Sequence, residues 1–441
     1  MNSRKAYPID KFFYPFQEFI QREKSGGIVL GISVIVALFL ANSPWSEQYF
    51  NFFDHKFGFQ FDGKSFLEFS IHHWINDGLM AVFFFVIGLE LKREIVGGEL
   101  SNLRKALLPV GAAFGGMLVP AIIYLLLNPV GEAQNGWGIP MATDIAFALG
   151  VLYLLGKRIP LSLKIFLTVL AVVDDLGAVL VIAFFYTSNI SIMNLLAGLG
   201  FVLIMYAGNR MGIRNILFYA VFGILGVWTA FLLSGVHATI ASVIAAFIIP
   251  ADVVIKENTY ILKIQNYLNR FKAIDPNDET PTLKGAQLHI LDEIKKDTNS
   301  AIPPLQQLEH AMHPFVTFVI IPIFALANAG ITLGIDTDRL FGSNIALGVA
   351  FGLLIGKVVG IVGFTLLMIK LKLGTFPHGM NIKNLVGLSL LASIGFTMSL
   401  FITSLAFTSP EYMIQAKIGI FAASIVGGSL GYMVLSKNNN K

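Results

Sequence analysis

The stretch LSLKIFLTVLAVVDDLGAVLVIAFF, residues 161–185, decides the fold class of this chain. It is almost entirely apolar, yet two adjacent aspartates, Asp174 and Asp175, lie near its middle. A membrane-spanning α-helix needs about 20 largely apolar residues, whereas a transmembrane β-strand is shorter and alternates between apolar and polar residues. The stretch therefore predicts a transmembrane helix with two acidic side chains close to the bilayer centre.

Apolar runs of this kind recur along the whole chain. We predict twelve spans, at about 27–45, 72–92, 105–127, 138–156, 160–187, 191–208, 214–233, 235–250, 314–334, 343–370, 384–407 and 412–435. Strand alternation is absent from these runs, and helices satisfy every backbone hydrogen bond within the bilayer. The sequence therefore predicts an all-α polytopic membrane protein.

The composition excludes several classes of function. Of the 441 residues, 55% are apolar and 13% are charged, against roughly 25% charged residues in soluble domains. A water-soluble enzyme is therefore excluded. The chain has no cysteine, which removes disulfides, thiolate metal sites and cysteine nucleophiles. The net charge of +4 arises from loops between spans, so it indicates orientation in a membrane rather than nucleic-acid binding.

The distribution of basic residues predicts the orientation and the domain organisation. Most Lys and Arg lie in the N-terminal segment, in the even-numbered loops and in the C-terminal tail, so both termini are predicted to be cytoplasmic. We expect a cytoplasmic N-terminal segment at 1–26, spans one to eight at 27–250, spans nine to twelve at 313–435 and a cytoplasmic tail at 436–441. The hydrophilic segment 251–312 is predicted to be a cytoplasmic linker with one amphipathic helix over 284–297.

Four charged residues fall deep inside predicted spans, at comparable depth. They are Asp144, Asp174, Asp175 and Lys357. Because an ionised side chain near the bilayer centre costs at least a few kcal/mol, each marks a functional site. Neighbouring residues on a helix diverge by about 100°, so Asp174 and Asp175 are expected to differ in role. One would pair with Lys357, and the other, with Asp144, would face a water-filled funnel and bind a cation.

This set of charges predicts a transport chemistry. A hard cation such as Na⁺ or Li⁺ takes oxygen ligands, and its binding to a carboxyl group releases the proton. Proton and cation would compete for the same oxygens, and alternating access would convert that competition into exchange. The chain has no G-x-x-x-x-G-K-[ST] motif for ATP, so transport would draw on an ion gradient.

Two predicted spans contain residues that interrupt helices. The run GWGIPMATDIAFALG (136–150) places Gly138, Pro140 and Thr143 beside Asp144, and GLSLLASIGFTMSLF (387–401) is rich in glycine and hydroxyl residues. The second run includes Ser393, Gly395 and Thr397. Each interrupted span is the middle one of three. Spans three to five and ten to twelve are therefore predicted to form inverted repeats, with the interrupted helices crossing at the midplane.

Eight motifs spread along the chain resemble those of the NhaA-type sodium/proton antiporters. They are WINDGLMAVFFFVIGLELKRE (74–94), ATDIAFALG (142–150), VDDLGAVL (173–180), SGVHATIA (234–241), LEHAMHPFV (308–316), FALANAG (324–330), GLLIGKVVGI (352–361) and SIGFTMSLFI (393–402). The resemblance covers nearly the whole chain. Its main departure is the segment 251–312, which is long for that family.

The resemblance implies a role for each candidate site residue. Asp174 and Asp175 would be the essential carboxylates that bind Na⁺, with Asp175 the more direct ligand and Asp174 paired with Lys357. Thr143 and Asp144 would lie at the helix crossing, where Asp144 offsets helix-end charge and joins the cation site. Asp77 would line the periplasmic access funnel. The positions associated with a response to pH are Glu90, Glu94, His237, Glu309, His310 and His313.

The resemblance also implies the activity as a whole. Members of the family exchange cytoplasmic Na⁺ or Li⁺ for external protons electrogenically, under control by pH, in the bacterial inner membrane. Many are homodimers, and we expect no cofactor, no enzymatic reaction and no nucleic-acid partner. Deprotonation of two carboxylates for each cation bound would give two protons per Na⁺.

Three alternative functions remain at this stage. A secondary transporter of the same fold could carry a different substrate. An intramembrane aspartyl protease also needs two acids on adjacent spans, but such enzymes carry YD and GxGD motifs, whereas this chain has TD and VDDLG. A passive cation channel would more often show a symmetric filter loop. The buried lysine and the paired aspartates favour cation exchange.

Overall fold

The computed structural model of the chain describes residues 25–61, 64–156, 159–187, 190–274, 282–332, 342–377 and 379–438. The predicted N-terminal segment 1–26 lies almost entirely outside these residues. Within them, eight helices are long and apolar enough to cross a membrane, and ten do so if each of two bent helix pairs counts as one span. The prediction of an all-α polytopic membrane protein is confirmed.

The first half of the described chain contains one β-hairpin among its helices. Its α-helices are α1 Ser25–Ala41, α2 Ser46–Asp54, α3 Ile71–His73, α4 Met80–Gly97, α5 Leu103–Leu127, α6 Ile145–Leu154, α7 Leu161–Phe185, α8 Ile192–Arg210, α9 Ile216–Val221, α10 Thr229–Ser234 and α11 Ala238–Ile248. The two strands are β1 Lys56–Phe61 and β2 Lys64–Ser70, and 3₁₀ segments occupy Glu99–Ser101 and Glu132–Met141.

The second half of the described chain is helical. Its helices are α12 Glu257–Lys272, α13 Gly285–Ala301, α14 Pro304–Phe315, α15 Ile321–Asn328, α16 Asn344–Phe351, α17 Lys357–Lys370, α18 Ile382–Ala392, α19 Phe396–Ala406 and α20 Pro410–Asn438. π-Helical turns join several of the α-helices along the chain. They are Trp74–Leu79, Phe222–Trp228, Val316–Ile320 and Gly352–Gly356.

The β-hairpin was not predicted. β1 and β2 pair antiparallel, with Phe57 opposite Phe69 and an irregularity between Phe57 and Phe59. The sequence KFGFQF does alternate aromatic and other residues, but only over six positions. A search for spans of about 20 residues does not detect an element of this length.

The hydrophilic segment contains more helix than predicted. The helix expected over 284–297 is confirmed as α13, but α12 packs against it and was missed. The next helix, α14, begins at Pro304, ten residues before the predicted ninth span. Proline fits the first turn of a helix because its missing N–H has no intrahelical partner there. A search for apolar runs could not find α12, because this helix is polar and has no buried residue.

Two predicted spans are shorter in the structure than in the sequence. The span at 27–45 ends at Ala41, and α2 then turns away from α1 by 111°. The span at 235–250 is reduced to α11, which begins at Ala238. Gly235, just before it, adopts the left-handed conformation, with φ of 81°. That φ is costly for residues with a β-carbon, so the glycine permits the turn.

Close glycine contacts hold the helix that carries Lys357. On α5, a β-carbon at Gly116 would lie 2.9 Å from Ile361 Cγ1 of α17. In the turn before α17, a β-carbon at Gly356 would lie 2.7 Å from Pro120 Cα. Small residues let two membrane helices approach at backbone distance, where van der Waals packing is strongest. The position of Lys357 is therefore fixed by helix packing as well as by its charge.

Candidate functional site

Asp144 lies where the first interrupted helix restarts. The 3₁₀ segment ends at Met141, and α6 begins at Ile145 after three residues without helical structure. Asp144 is the N-cap of α6, and its Oδ1 accepts a hydrogen bond from the Phe147 backbone N–H at 2.9 Å. The side chain is 1% exposed. Its carboxylate therefore faces the positive end of the α6 dipole in a buried setting.

The same carboxylate also meets the second interrupted helix. α18 ends at Ala392 and α19 begins at Phe396, with a bend of 46° between them. Asp144 Oδ2 accepts hydrogen bonds from the Thr397 backbone N–H at 2.9 Å and from Thr397 Oγ1 at 2.6 Å. One acidic side chain therefore neutralises the N-terminal ends of two half-helices, α6 and α19.

The C-terminal end of α18 meets the opposite charge. Lys357 Nζ donates to Thr143 Oγ1 at 3.0 Å and forms an ion pair with Asp174. The Thr143 hydroxyl lies 2.9 Å from the Ala392 carbonyl oxygen, at the negative end of α18, and 2.7 Å from Asp174 Oδ2. It has one proton to donate, so it serves one of these two oxygens at a time. All these side chains are fully buried.

The two broken spans are connected directly through the backbone. The Asp144 N–H donates to the Ile394 carbonyl oxygen at 2.7 Å. A β-carbon at Gly395 would lie 3.0 Å from Leu353 and 3.2 Å from the Ala142 carbonyl oxygen, closer than an ordinary contact. Ser393 Oγ donates to the Leu390 carbonyl at 2.6 Å, within its own turn. Of the predicted interruption residues, Gly395 and Thr397 therefore lie at the contact between the two breaks, while Ser393 bonds within the second break and faces Gly427 of α20.

Asp175 differs from its neighbour in having no polar partner. Both of its carboxylate oxygens are enclosed, and neither has a hydrogen-bond partner among the described residues. Asp174 uses Oδ2 for Lys357 and Thr143, while its Oδ1 is also enclosed without a partner. Buried carboxylates are normally paired. The three unsatisfied oxygens are therefore the available ligands of this region for a proton or a small cation.

A cavity of about 310 Å³ leads to this region. Its polar lining includes Glu90 of α4, Asp144, His313 of α14 and Thr397, while Asp174 and Asp175 do not line it. A second cavity, of about 650 Å³, shares Tyr153 and Thr168 with the first one and is lined by Arg93 and Glu94. The cavities thus place Glu90 and His313 on one approach to Asp144, which stops short of Asp175.

The remaining residues predicted to respond to pH fall into two separate places. Arg93 links two of them, because Nη1 donates to Glu309 Oε1 at 2.6 Å and Nη2 to Glu94 Oε1 at 2.9 Å. His310 is exposed on the same helix as Glu309. His237 is not part of this cluster. It precedes α11, and its Nε2 lies 2.9 Å from the Tyr186 carbonyl oxygen.

Asp77 lies in the π-helical turn near the β-hairpin. Its side chain is 15% exposed, and its Oδ2 lies 3.3 Å from His73 Nδ1. Together with His237 it belongs to the end of the molecule that carries the hairpin, which we call the hairpin end. The Glu90 and Arg93 region, at the other end of α4, is called the linker end.

Three charged or ionisable residues of the site region were missed in the sequence. Arg93 joins Glu94 to Glu309, and His73 faces Asp77. Lys92 donates to the carbonyl oxygens of Phe247 and Ile249, at 2.7 and 2.5 Å, and so caps the C-terminal end of α11. The available signal was their position at the ends of an apolar run, where charged side chains need a partner.

Comparison with known proteins identifies the family of this architecture. The model of the family described as Na⁺/H⁺ antiporter 1 matches residues 17–435. The chain belongs to the Na⁺/H⁺ antiporter 1 family. The match extends across both interrupted spans and the linker between them. The family resemblance inferred from the eight motifs is confirmed.

Relatives in this family are similar along almost their full length. The Na⁺/H⁺ antiporter NhaA 2 of Syntrophotalea carbinolica is 47% identical over 424 residues, covering 96% of this chain and 96% of the relative. NhaA 1 of Saccharophagus degradans is 46% identical over 430 residues, covering 97% and 92%. NhaA of Phocaeicola vulgatus is 46% identical over 428 residues, covering 96% and 95%. Family membership points to a multi-pass membrane transporter rather than an enzyme, with Na⁺ and H⁺ as the transported ions.

Proposed function

We propose that this protein is a secondary active, electrogenic and pH-regulated antiporter, which extrudes cytoplasmic Na⁺ or Li⁺ in exchange for external protons. The observation that carries the proposal is Asp175, which follows Asp174 of the Asp174–Lys357 pair and whose two enclosed oxygens have no hydrogen-bond partner among the described residues. A carboxyl group in that setting binds a proton or a cation, and the two exclude each other. No cofactor enters the mechanism.

The cation site of the proposal consists of Asp175 and Asp174, with Asp144 and Thr143 at its edge. In the proton-loaded state Asp175 is neutral. Cation entry displaces that proton and also displaces Lys357 from the Asp174 carboxylate. The freed lysine ammonium then loses a proton, which is the second one released, so that the two carboxylates hold one Na⁺ beside a neutral lysine. Release of two protons per Na⁺ moves net charge across the membrane in each cycle, which makes the exchange electrogenic.

Alternating access rests on the two interrupted spans in the proposed mechanism. Asp144 offsets the positive ends of α6 and α19, and Lys357, through Thr143, lies beside the negative end of α18. Displacement of a proton from this region changes the charge balance at the crossing, and the half-helices shift in response. Twelve spans in total, with inverted repeats at spans three to five and ten to twelve, are part of the proposal.

The orientation and the regulatory groups complete the proposal. Both termini and the segment 251–312 are cytoplasmic, so the linker end faces the cytoplasm and the hairpin end faces the periplasm of the bacterial inner membrane. Glu90, Glu94, Glu309, His310 and His313 respond to cytoplasmic pH from the linker end, while Asp77 lines the periplasmic access path. His237 acts from the hairpin end. The protein functions as a homodimer.

The direct test uses everted membrane vesicles that contain this protein, in which respiration acidifies the lumen. A fluorescent pH probe follows the lumen while Na⁺, Li⁺ or K⁺ is added at several external pH values. We expect rapid alkalinisation with Na⁺ and Li⁺ but not with K⁺, and a response that changes with the external pH. Accumulation of a potential-sensitive dye during the same experiment measures the net charge transferred.

Two variants control this test. Asp175→Asn should abolish the cation response, whereas Asp292→Asn, an exposed acid on α13, should leave it unchanged. Absence of any cation-dependent proton movement from inserted, folded wild-type protein would overturn the proposal and leave a transporter of this fold with a different cargo. Fluxes of Na⁺ without proton movement would instead indicate a passive channel.

A further inference from the structure

Two cavities at the linker end meet at Tyr153 of α6 and Thr168 of α7. Both residues line the inner cavity of about 310 Å³, which reaches Asp144, and also the outer cavity of about 650 Å³. A third cavity, of about 820 Å³, shares Glu99 and Ile165 with the outer one. The three cavities therefore form a series that decreases in volume toward Asp144, and its last step passes Tyr153 and Thr168.

Lys164 stands at this last step, with its ammonium group over an aromatic ring. It lies four residues before Thr168 on α7, so the two side chains share one face of the helix. Lys164 lines the outer cavity but not the inner one, and its Nζ is 4.5 Å from the centroid of the Tyr153 ring. An ammonium group within about 6 Å of an aromatic face is attracted by the ring quadrupole. Tyr153 therefore holds a positive charge at the outer side of the junction.

The charge of Lys164 is not neutralised by an ion pair. The other charged residues of the outer cavity are Arg93, Glu94 and Glu99. Arg93 is paired with Glu94 and with Glu309, and Glu94 Oε2 also accepts from the Glu99 backbone N–H at 3.1 Å. Among the described residues, no acidic side chain forms an ion pair with Lys164. Because the walls of a narrow cavity have a low dielectric constant, this charge acts strongly on ions that enter it.

We propose that Lys164, held over Tyr153, is an electrostatic filter that lowers the affinity of the transport site for cytoplasmic cations. Its ammonium group raises the potential at the mouth of the inner cavity, which lowers the local concentration of Na⁺ beside Asp144. Lys164 lies on the approach and does not exchange protons or bind Na⁺, so it is a positioning residue for the arriving cation. The filter thereby sets the cytoplasmic Na⁺ concentration at which exchange begins.

This inference rests on the proposed antiport and on the cytoplasmic orientation of the linker end. Its test uses membrane vesicles of both orientations that contain the full-length protein. Everted vesicles expose the cytoplasmic face to added Na⁺, and right-side-out vesicles expose the periplasmic face. The KM for Na⁺ and the maximal rate are measured at each face, at low ionic strength, from the accompanying proton movement. Absence of exchange by the wild type would contradict the proposed function, independently of Lys164.

Removal of the charge should change the KM at one face only. Lys164→Gln should lower the KM for cytoplasmic Na⁺ about fivefold, and it should leave the maximal rate and the periplasmic KM unchanged. Because dissolved salt screens charges that face water, this difference from the wild type should shrink when N-methylglucamine chloride raises the ionic strength. Lys164→Arg retains the charge and stacks on aromatic faces, so it should behave as the wild type.

The contribution of Tyr153 is tested through its ring. Tyr153→Phe retains the aromatic face and should leave the cytoplasmic KM unchanged. Tyr153→Leu releases the lysine from the junction, so it should lower this KM, but by less than Lys164→Gln does. In the Tyr153→Leu background, Lys164→Gln should therefore have a smaller effect than it has alone.

Lys370, at the end of α17, provides the matched control. It is exposed and is not among the residues that line the three cavities, so Lys370→Gln removes the same charge away from the approach. Its cytoplasmic KM should equal that of the wild type. An unchanged KM in Lys164→Gln, the same change in Lys370→Gln, the same change at both faces, or a fall in KM in Lys164→Arg would each overturn the filter.

Discussion

Among the described residues, two lysine–aspartate ion pairs join helices, and they differ in their exposure to water. Lys357 and Asp174 pair between α17 and α7 with both side chains completely buried. Lys263 of α12 and Asp297 of α13 pair at 3.0 Å in the linker, where the lysine is 43% exposed. Tyr267 also donates to Asp297, at 2.9 Å. The same two functional groups therefore occur in a dry and in a wet environment.

The contrast shows that the surroundings, not the residue types, decide what an ion pair does. In the linker, water reaches the lysine and screens its charge, so the pair contributes little and its loss is tolerated. In the bilayer, neither charge can be left alone, and any proton or cation that approaches changes the balance of the whole crossing. Only the buried pair has a third, unpartnered acid beside it, Asp175.

The largest expected effect comes from Asp175. Asp175→Asn removes the unpartnered carboxylate, so exchange should fall more than about 100-fold, which exceeds 2.7 kcal/mol. Because no hydrogen bond is lost, thermal stability in detergent should be unchanged or higher. Na⁺-dependent proton flux and the unfolding temperature of the purified protein measure the two effects. Loss of folding together with activity would show that Asp175 has a structural partner.

Breaking the buried ion pair should have the next largest effect, on stability. Lys357→Ala leaves Asp174 buried without its cation, which should cost about 3–5 kcal/mol. Lys263→Ala, the matched change in the linker, should cost about 0–1 kcal/mol. Thermal unfolding of both variants in the same detergent compares them. Similar losses of stability in the two variants would contradict the distinction between the pairs, and Lys357→Ala with Asp174→Asn should recover part of the loss.

An intermediate effect is expected at Asp144, which has hydrogen bonds but no ion pair. Asp144→Ala deprives the Phe147 N–H, the Thr397 N–H and the Thr397 hydroxyl of their acceptor, which should cost about 2–3 kcal/mol. Asp144→Asn retains one acceptor oxygen and should lose about half as much. Unfolding temperatures, with protection from hydrogen exchange at the start of α6 and α19, provide the measurement. Full stability of the alanine variant would mean that water replaces the carboxylate.

The smallest effect, with a defined pH dependence, is expected in the linker. Burial would raise the pKa of the Asp297 carboxyl, but the hydrogen bonds from Lys263 and Tyr267 outweigh it and hold that pKa below its ordinary value. Because this pKa is lower in the folded than in the unfolded protein, the ionised carboxylate stabilises the pair of helices α12 and α13 at pH values above the unfolded pKa of about 3.9. That contribution is lost as the pH falls through the folded-state pKa.

The corresponding variant is Asp297→Asn. It should destabilise the pair of helices α12 and α13 by about 0.5 kcal/mol at pH 7, and the difference from the wild type should shrink as the pH falls below about 3.9. Hydrogen exchange of the α12 and α13 amides in the whole protein, compared between the variant and the wild type at each pH, measures this. A difference that does not shrink at acid pH would mean that Asp297 acts by packing rather than by its charge.

The sequence predicted correctly those elements that depend on local composition alone. Apolar runs predicted the membrane helices, and the position of Pro140 and of the residues around Gly395 predicted both breaks. It failed for short or polar elements. The hairpin of β1 and β2 is too brief for a hydropathy signal, and α12 is a solvated helix whose polar residues hide it. Spacing along the sequence also could not show which candidates for the pH response lie together in space, since His237 lies apart from Glu309 and Arg93.

The sequence by itself determined that this is a membrane protein of helices, that four charges lie deep within its spans, and that its motifs are those of an antiporter family. These properties are local, because each segment of about 20 residues inserts into a bilayer according to its own transfer free energy. The charge pattern alone left open which aspartate pairs with Lys357. The family resemblance implied Asp174, and the tertiary structure forms that pair and leaves Asp175 without a hydrogen-bond partner among the described residues. That choice depends on helix rotation and on contacts between residues more than 180 positions apart, such as Asp174 and Lys357. No local pattern in the sequence encodes such contacts.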